Sequence, residues 1–119
     1  MQTNLGSQKV VEAFPDRRRH PRYRFSEPVT ICSAGGVVIP GIGIEISVSG
    51  MSAITADSLK MNDIVDIEPI AGGKMQAVVR RNIGRVSGFE FLNATAEQAG
   101  RIGESCRLLP RYLGTSLGI

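Results

Sequence analysis

A chain of 119 residues, 42% of them apolar and 21% charged, suits a single soluble domain with a core of its own. No apolar run approaches the ~20 residues that cross a bilayer, which argues against membrane insertion. Two cysteines far apart in sequence and a single histidine, His20, give no metal-ligand spacing.

Residues 1–15 are polar and mixed around a short apolar patch at Val10 and Val11, and read as a flexible N-terminal tail. They lack a basic region followed by an apolar one, so no signal peptide is expected. The chain then reads as cytoplasmic, with Cys32 and Cys106 as reduced, buried thiols. Five arginines follow within eight residues: Arg17, Arg18, Arg19, Arg22 and Arg24. Setting them aside leaves nine cationic against eleven acidic side chains, so the net charge of +3 comes from this stretch alone. Each guanidinium is a planar fork that can grip two phosphate oxygens or a base edge and can stack on a flat ring; lysine supplies only charge. The stretch reads as a local anion site or, more plainly, as a solvated basic arm. Pro15 and Pro21 bracket it and disfavour helix, leaving a loop that leads into a strand.

From Phe25 the period changes to two. Val29 and Ile31 alternate with Thr30 and Cys32. Gly35 and Gly36 signal a turn, residues 37–39 resume a strand, and Pro40 with Gly41 is expected to interrupt it. Ile42, Ile44 and Ile46 alternate with Gly43 and Glu45, which predicts three isoleucines on one face and Glu45 outward on the other. A further apolar run covers residues 51–56, and residues 57–63 read as a connection. Val65 and Ile67 alternate with Asp66 and Glu68. Residues 71–74 read as a hairpin turn, residues 75–81 as a strand, residues 82–84 as another turn, and a last strand ends at Phe91. Six or so short strands at this spacing predict a small antiparallel barrel, with Phe89 and Phe91 on its core side.

One helix follows. Thr95 and Gln98 have the form of a capping box. Ala99, Ile102, Cys106 and Leu109 share a face at helical spacing, and Pro110 ends the element. Gly100 and Gly103 are tolerable there if the helix packs closely on the barrel. Residues 111–119 read as a C-terminal tail.

Two motifs stand out. Arg18-Arg19-His20-Pro21-Arg22 has the form R-x-x-x-R, with Arg17 in front. Glu45-Ile46-Ser47-Val48-Ser49-Gly50 combines an acceptor, two small hydroxyls and a glycine, which suits a turn that a ligand approaches closely; an ordinary polar turn has the same composition. The pair resembles the PilZ family, bacterial receptor domains for cyclic di-GMP. In that family R-x-x-x-R is followed by [D/N]-x-S-x-x-G, and here Glu45 replaces the Asp or Asn. The strands running from Val78, Val79, Arg80 and Arg81 to Gly88-Phe89-Glu90-Phe91 are similar to the family's closing strands. The resemblance spans about residues 16–110, taken as one domain.

The resemblance implies a six-stranded antiparallel β-barrel with a C-terminal α-helix, no catalytic residues and no cofactor beyond the ligand. It implies that Arg17, Arg18 and Arg22 hold guanine edges and phosphates of cyclic di-GMP, since arginine pairs with O6 and N7 together. Glu45 would accept from guanine N–H groups, Ser47 would bond base or phosphate, and Gly50 would keep the turn tight. Arg81, or else Arg80, would lie against the base. A glutamate places its oxygens ~1.5 Å further out than an aspartate, enough to spoil a fixed hydrogen bond, and it could also pair with Arg18 or Arg22. The expectation is a receptor or adaptor, a monomer or weak dimer, that passes the signal to a protein partner in motility or biofilm regulation. The alternative is a degenerate domain serving as a protein-interaction module. No nucleophile–base pair or phosphate-cradling loop suggests an enzyme. Aromatic content of 5% is too low for a single-stranded nucleic-acid barrel.

Overall fold

The computed structural model describes residues 20–69 and 73–111. Among the described residues, seven strands and one helix follow in order: β1 Tyr23–Arg24, β2 Pro28–Cys32, β3 Val38–Ser47, β4 Gly50–Thr55, β5 Ile64–Glu68, β6 Met75–Ile83, β7 Val86–Leu92 and α1 Ala96–Cys106. All pairings are antiparallel, in the order β3-β2-β5-β6-β7-β4, and β4 returns to β3. Six strands therefore close a barrel, as expected, and closure leaves no long edge to aggregate.

The seventh strand, β1, lies on the same edge of β3 as β2. β1 covers the end of β3 (Tyr23↔Ile46, Arg24↔Glu45), and β2 covers its start (Pro28↔Ile42 to Cys32↔Val38). Between them the chain dips inward, and Phe25 enters the core. A Cβ on Gly43 would stand 2.5 Å from both the Phe25 ring and the Phe25 carbonyl, so only glycine fits beneath this crossing.

The crossing coincides with a β-bulge. Gly43 pairs with Ala53 and Glu45 with the adjacent Ser52, so Ile44 is an extra residue on β3. The bulge reverses the phase of the strand and corrects the sequence expectation. The three isoleucines do not share a face: Ile42 is 50% exposed and Ile46 is 1% exposed. Nor does Pro40 interrupt the strand. Its carbonyl accepts from the Ala56 N–H, so its ring nitrogen faces the same side, where β4 has already ended. No bond to β2 is lost.

The remaining strands follow their alternation. Val29, Ile31, Val65, Ile67, Phe89 and Phe91 are buried, as the pattern required. The β6–β7 turn falls at Gly84 and Arg85, one step later than expected. Gly84 has φ +61°, which suits the first position of a two-residue hairpin. Half of the turn expected at residues 71–74, residues 71 and 72, lies outside the described residues.

The capping box forms as expected: Thr95 Oγ1 accepts from the Gln98 N–H, and Gln98 Oε1 accepts from the Thr95 N–H, both at 3.0 Å. Ile102 and Cys106 turn into the core, with Leu109 partly buried beside it. A Cβ on Gly103 would meet the Val48 side chain at 3.5 Å, an ordinary contact, and Gly100 faces open space, so close packing requires neither glycine. After the helix, Arg111 forms an antiparallel bridge with Tyr23 and sets its guanidinium 5.7 Å from the Tyr23 ring centre. Burial pushes the Cys106 thiol up to about 11, while Cys32, expected to be buried, is only half-buried.

Candidate ligand-binding site

Cross-strand register decides which way the motif residues face. Ile46, Met51, Phe89 and Val79 form one row across β3, β4, β7 and β6, and all four are core residues. The neighbouring row must point the opposite way, because successive residues of a strand alternate. That row is Arg24, Glu45, Ser52, Gly88 and Arg81, read from β1 through β3, β4 and β7 to β6. Glu45 thus faces away from the barrel interior, as the sequence suggested, yet it is 1% exposed.

Arg22 covers it. The guanidinium Nη1 of Arg22 donates to Glu45 Oε1 at 3.0 Å, and Arg22 is itself buried. From the strand opposite, Ser52 Oγ donates to Glu45 Oε2 at 3.2 Å. Both carboxylate oxygens are therefore engaged, one by a charged donor and one by a hydroxyl. The bulge at Ile44 makes this possible: were Ile44 paired regularly, the phase set by Gly43 would carry Glu45 to the core face.

A second bulge lies in the same row. Val79 pairs with Phe89 and Arg81 with Gly88, so Arg80 is the extra residue on β6. Arg80 Nε donates to Glu90 Oε1 at 2.7 Å, with both side chains about half exposed. Two bulges at one level of the barrel bend β3 and β6 beside the central β4–β7 pair. Bulges of this kind commonly re-aim side chains at functional sites.

The hairpin between β3 and β4 carries the rest of the second motif. Ser47 pairs with Gly50 across a two-residue turn. Ser47 Oγ accepts from the Ser49 N–H at 3.2 Å and lies 3.1 Å from Ser49 Oγ. The Ser47 hydroxyl is buried and shapes its own turn, so in this state its local bonds compete with any ligand. Gly50 is buried and pairs onward with Glu90.

Of the residues singled out from sequence, Arg22, Glu45, Ser47 and Gly50 are brought together on one face. Arg81 is exposed and shares the row of Glu45, with two strands between them. Arg17 and Arg18 lie outside the described residues, as does Arg19. Ser52 was not singled out. Its signal was available: it is a hydroxyl within an apolar run and two residues beyond Gly50, so alternation places it on the motif's face.

The PilZ domain family model matches residues 16–108. The chain belongs to the PilZ domain family. Solved PilZ domains share the fold. One is the PilZ domain of CeSA from a cellulose-synthesizing bacterium, 18% identical, with a TM-score of 0.56 over 68% of this chain and 89% of that one. Another is the PilZ domain of YcgR from Escherichia coli, determined with c-di-GMP, 18% identical, with a TM-score of 0.58 over 77% of this chain and 92% of that one. A longer YcgR structure in complex with c-di-GMP is 20% identical with a TM-score of 0.57; the match covers 72% of this chain and 42% of that one. No curated protein matches by sequence. PilZ domains are ligand-binding receptor domains. Among the described residues no helix is long and apolar enough to cross a membrane, and no cluster of His, Cys, Asp or Glu could hold a metal ion.

Proposed function

We propose that this PilZ domain is a cyclic di-GMP receptor. The observation that carries the reading is the buried contact between Arg22 and Glu45. It joins the arginine motif to the second motif across 23 residues of sequence, on the outward face of the barrel. In this reading Arg17, Arg18 and Arg22 meet the phosphates and the O6/N7 edge of guanine, and Glu45 accepts from the guanine N–H groups. Ser47 and Gly50 hold the hairpin against the ligand. Arg81, three strand spacings or about 14 Å along the sheet from Glu45, serves a different part of the ligand from the base that Glu45 meets. The anion neutralises the arginine stretch and orders it against the barrel, creating a surface that a downstream protein reads.

A second reading is favoured by one observation. Ile42, Ile54, Val86 and Ile83 form the next outward row, and the three isoleucines are each about half exposed. An apolar row of this kind suits a protein-interaction module.

Calorimetric titration of cyclic di-GMP separates the two. A receptor gives micromolar or tighter binding that is lost in Arg18→Ala/Arg22→Ala, with hydrogen exchange over residues 16–24 slowed by ligand. No heat from the native chain, with binding gained in Glu45→Asp, means that the module reading is correct.

A further inference from the structure

We infer that Ser52 is a positioning residue for the candidate site, fixing the carboxylate of Glu45 in the orientation that meets a purine edge. The inference rests on the receptor reading above for its ligand, but its geometry stands without one. Ser52 lies outside both motifs and is fully buried on β4, directly opposite Glu45 in register. Opposed residues in an antiparallel pair have Cβ atoms about 5 Å apart, within reach of a glutamate curling back toward its partner strand. The Ser52 hydroxyl donates to Oε2 while Arg22 holds Oε1.

A donor at each oxygen, Arg22 from the segment just before β1 and Ser52 from β4, helps to define the plane of the carboxylate. This matters more for glutamate than for aspartate, because glutamate carries one further rotatable bond. A side chain already held in place gives up less freedom when a ligand arrives. Ser52 thus offsets the extra methylene at position 45: the longer acceptor is anchored at both oxygens. A serine at position 52 and a glutamate at position 45 act as one unit.

The test titrates cyclic di-GMP into the native chain, Ser52→Ala, Ser52→Thr and Glu45→Asp/Ser52→Ala, each checked for folding by its thermal transition. Ser52→Ala is expected to weaken binding about tenfold. Ser52→Thr keeps the hydroxyl and is expected to restore binding. In the Glu45→Asp background, whose carboxylate stops one methylene short of Ser52, the Ser52→Ala change should have little further effect. A purely structural serine would cost the same in both backgrounds, and that result overturns the inference. A crystal structure of ligand-free Ser52→Ala gives a readout independent of the ligand: Glu45 should occupy more than one rotamer. A Glu45 held in one unchanged rotamer overturns the inference even if the native chain binds nothing, whereas absent native binding alone overturns only the receptor reading.

Discussion

Two arginine–glutamate pairs flank the β4–β7 pairing, and each is set by a bulge. Their chemistry is the same and their surroundings are opposite. Arg22 and Glu45 meet at 3.0 Å with side chains 2% and 1% exposed, whereas Arg80 and Glu90 meet at 2.7 Å in solvent. The shorter contact is the weaker one. In water the attraction is screened and two long side chains must be held still, which leaves such pairs worth ~0–1 kcal/mol. Away from water the attraction is strong, but it only offsets the cost of stripping both charges of solvent. The buried pair is therefore poor evidence of stability; what it does is fix two charged groups in one geometry, the geometry on which the proposed site rests.

The largest expected effect comes from breaking the buried pair on one side. Glu45→Ala should destabilise the fold by roughly 3–5 kcal/mol in urea denaturation, because the carboxylate that Arg22 meets in the buried site is gone. Replacing both partners, as in Arg22→Met/Glu45→Leu, should bring stability back near the native value while cyclic di-GMP binding stays lost. If the double variant is as unstable as the single one, the pair is structural after all.

Cys106 sharpens the comparison as a buried ionisable group that stays neutral. Its folded value of about 11 lies above the ordinary 9.0. The unfolded chain therefore loses its proton first as pH rises, and binds fewer protons than the folded one between those values. Stability should be fully present below pH 9 and fall by about 2–3 kcal/mol as pH rises through 11. Comparing denaturation curves of native and Cys106→Ala proteins isolates this slope. A parallel fall in both would assign it to other groups.

The smallest effect belongs to the exposed pair. Arg80→Ala or Glu90→Ala should change stability by less than about 1 kcal/mol, and by less still at high salt. A change matching that of Glu45→Ala would erase the distinction between the two pairs.

The sequence made some of these features readable and hid others for physical reasons. The alternation in β2 and β5 and the Thr95/Gln98 cap were legible because each depends on neighbours a few residues away. The facing of Ile42 and Ile46 was not, because one extra residue at Ile44 shifts the phase and alternation carries no marker for it. Gly43 within the run was the available warning, since an isolated glycine in a strand often accompanies a bulge. The burial of Glu45 was hidden in another way. Its partner lies 23 residues earlier, and only β1 lying beside β3 brings the two together. The arginine motif and its partner turn were legible as chemistry; that Ser52 completes the contact follows only from register.

The bridge between Tyr23 and Arg111 has a consequence for engineering. Opposed residues in an antiparallel pair have Cα atoms about 5 Å apart, and the Arg24 N–H also bonds the Pro110 carbonyl. Entry to the barrel and exit from it are thus side by side. Such a body can be spliced into a surface loop of a host protein as a cassette, with its two junctions meeting the host at one place. Strain between the junctions would then bear directly on the strand that follows Arg22, so a host fused in this way would be wired to the arginine motif from the start.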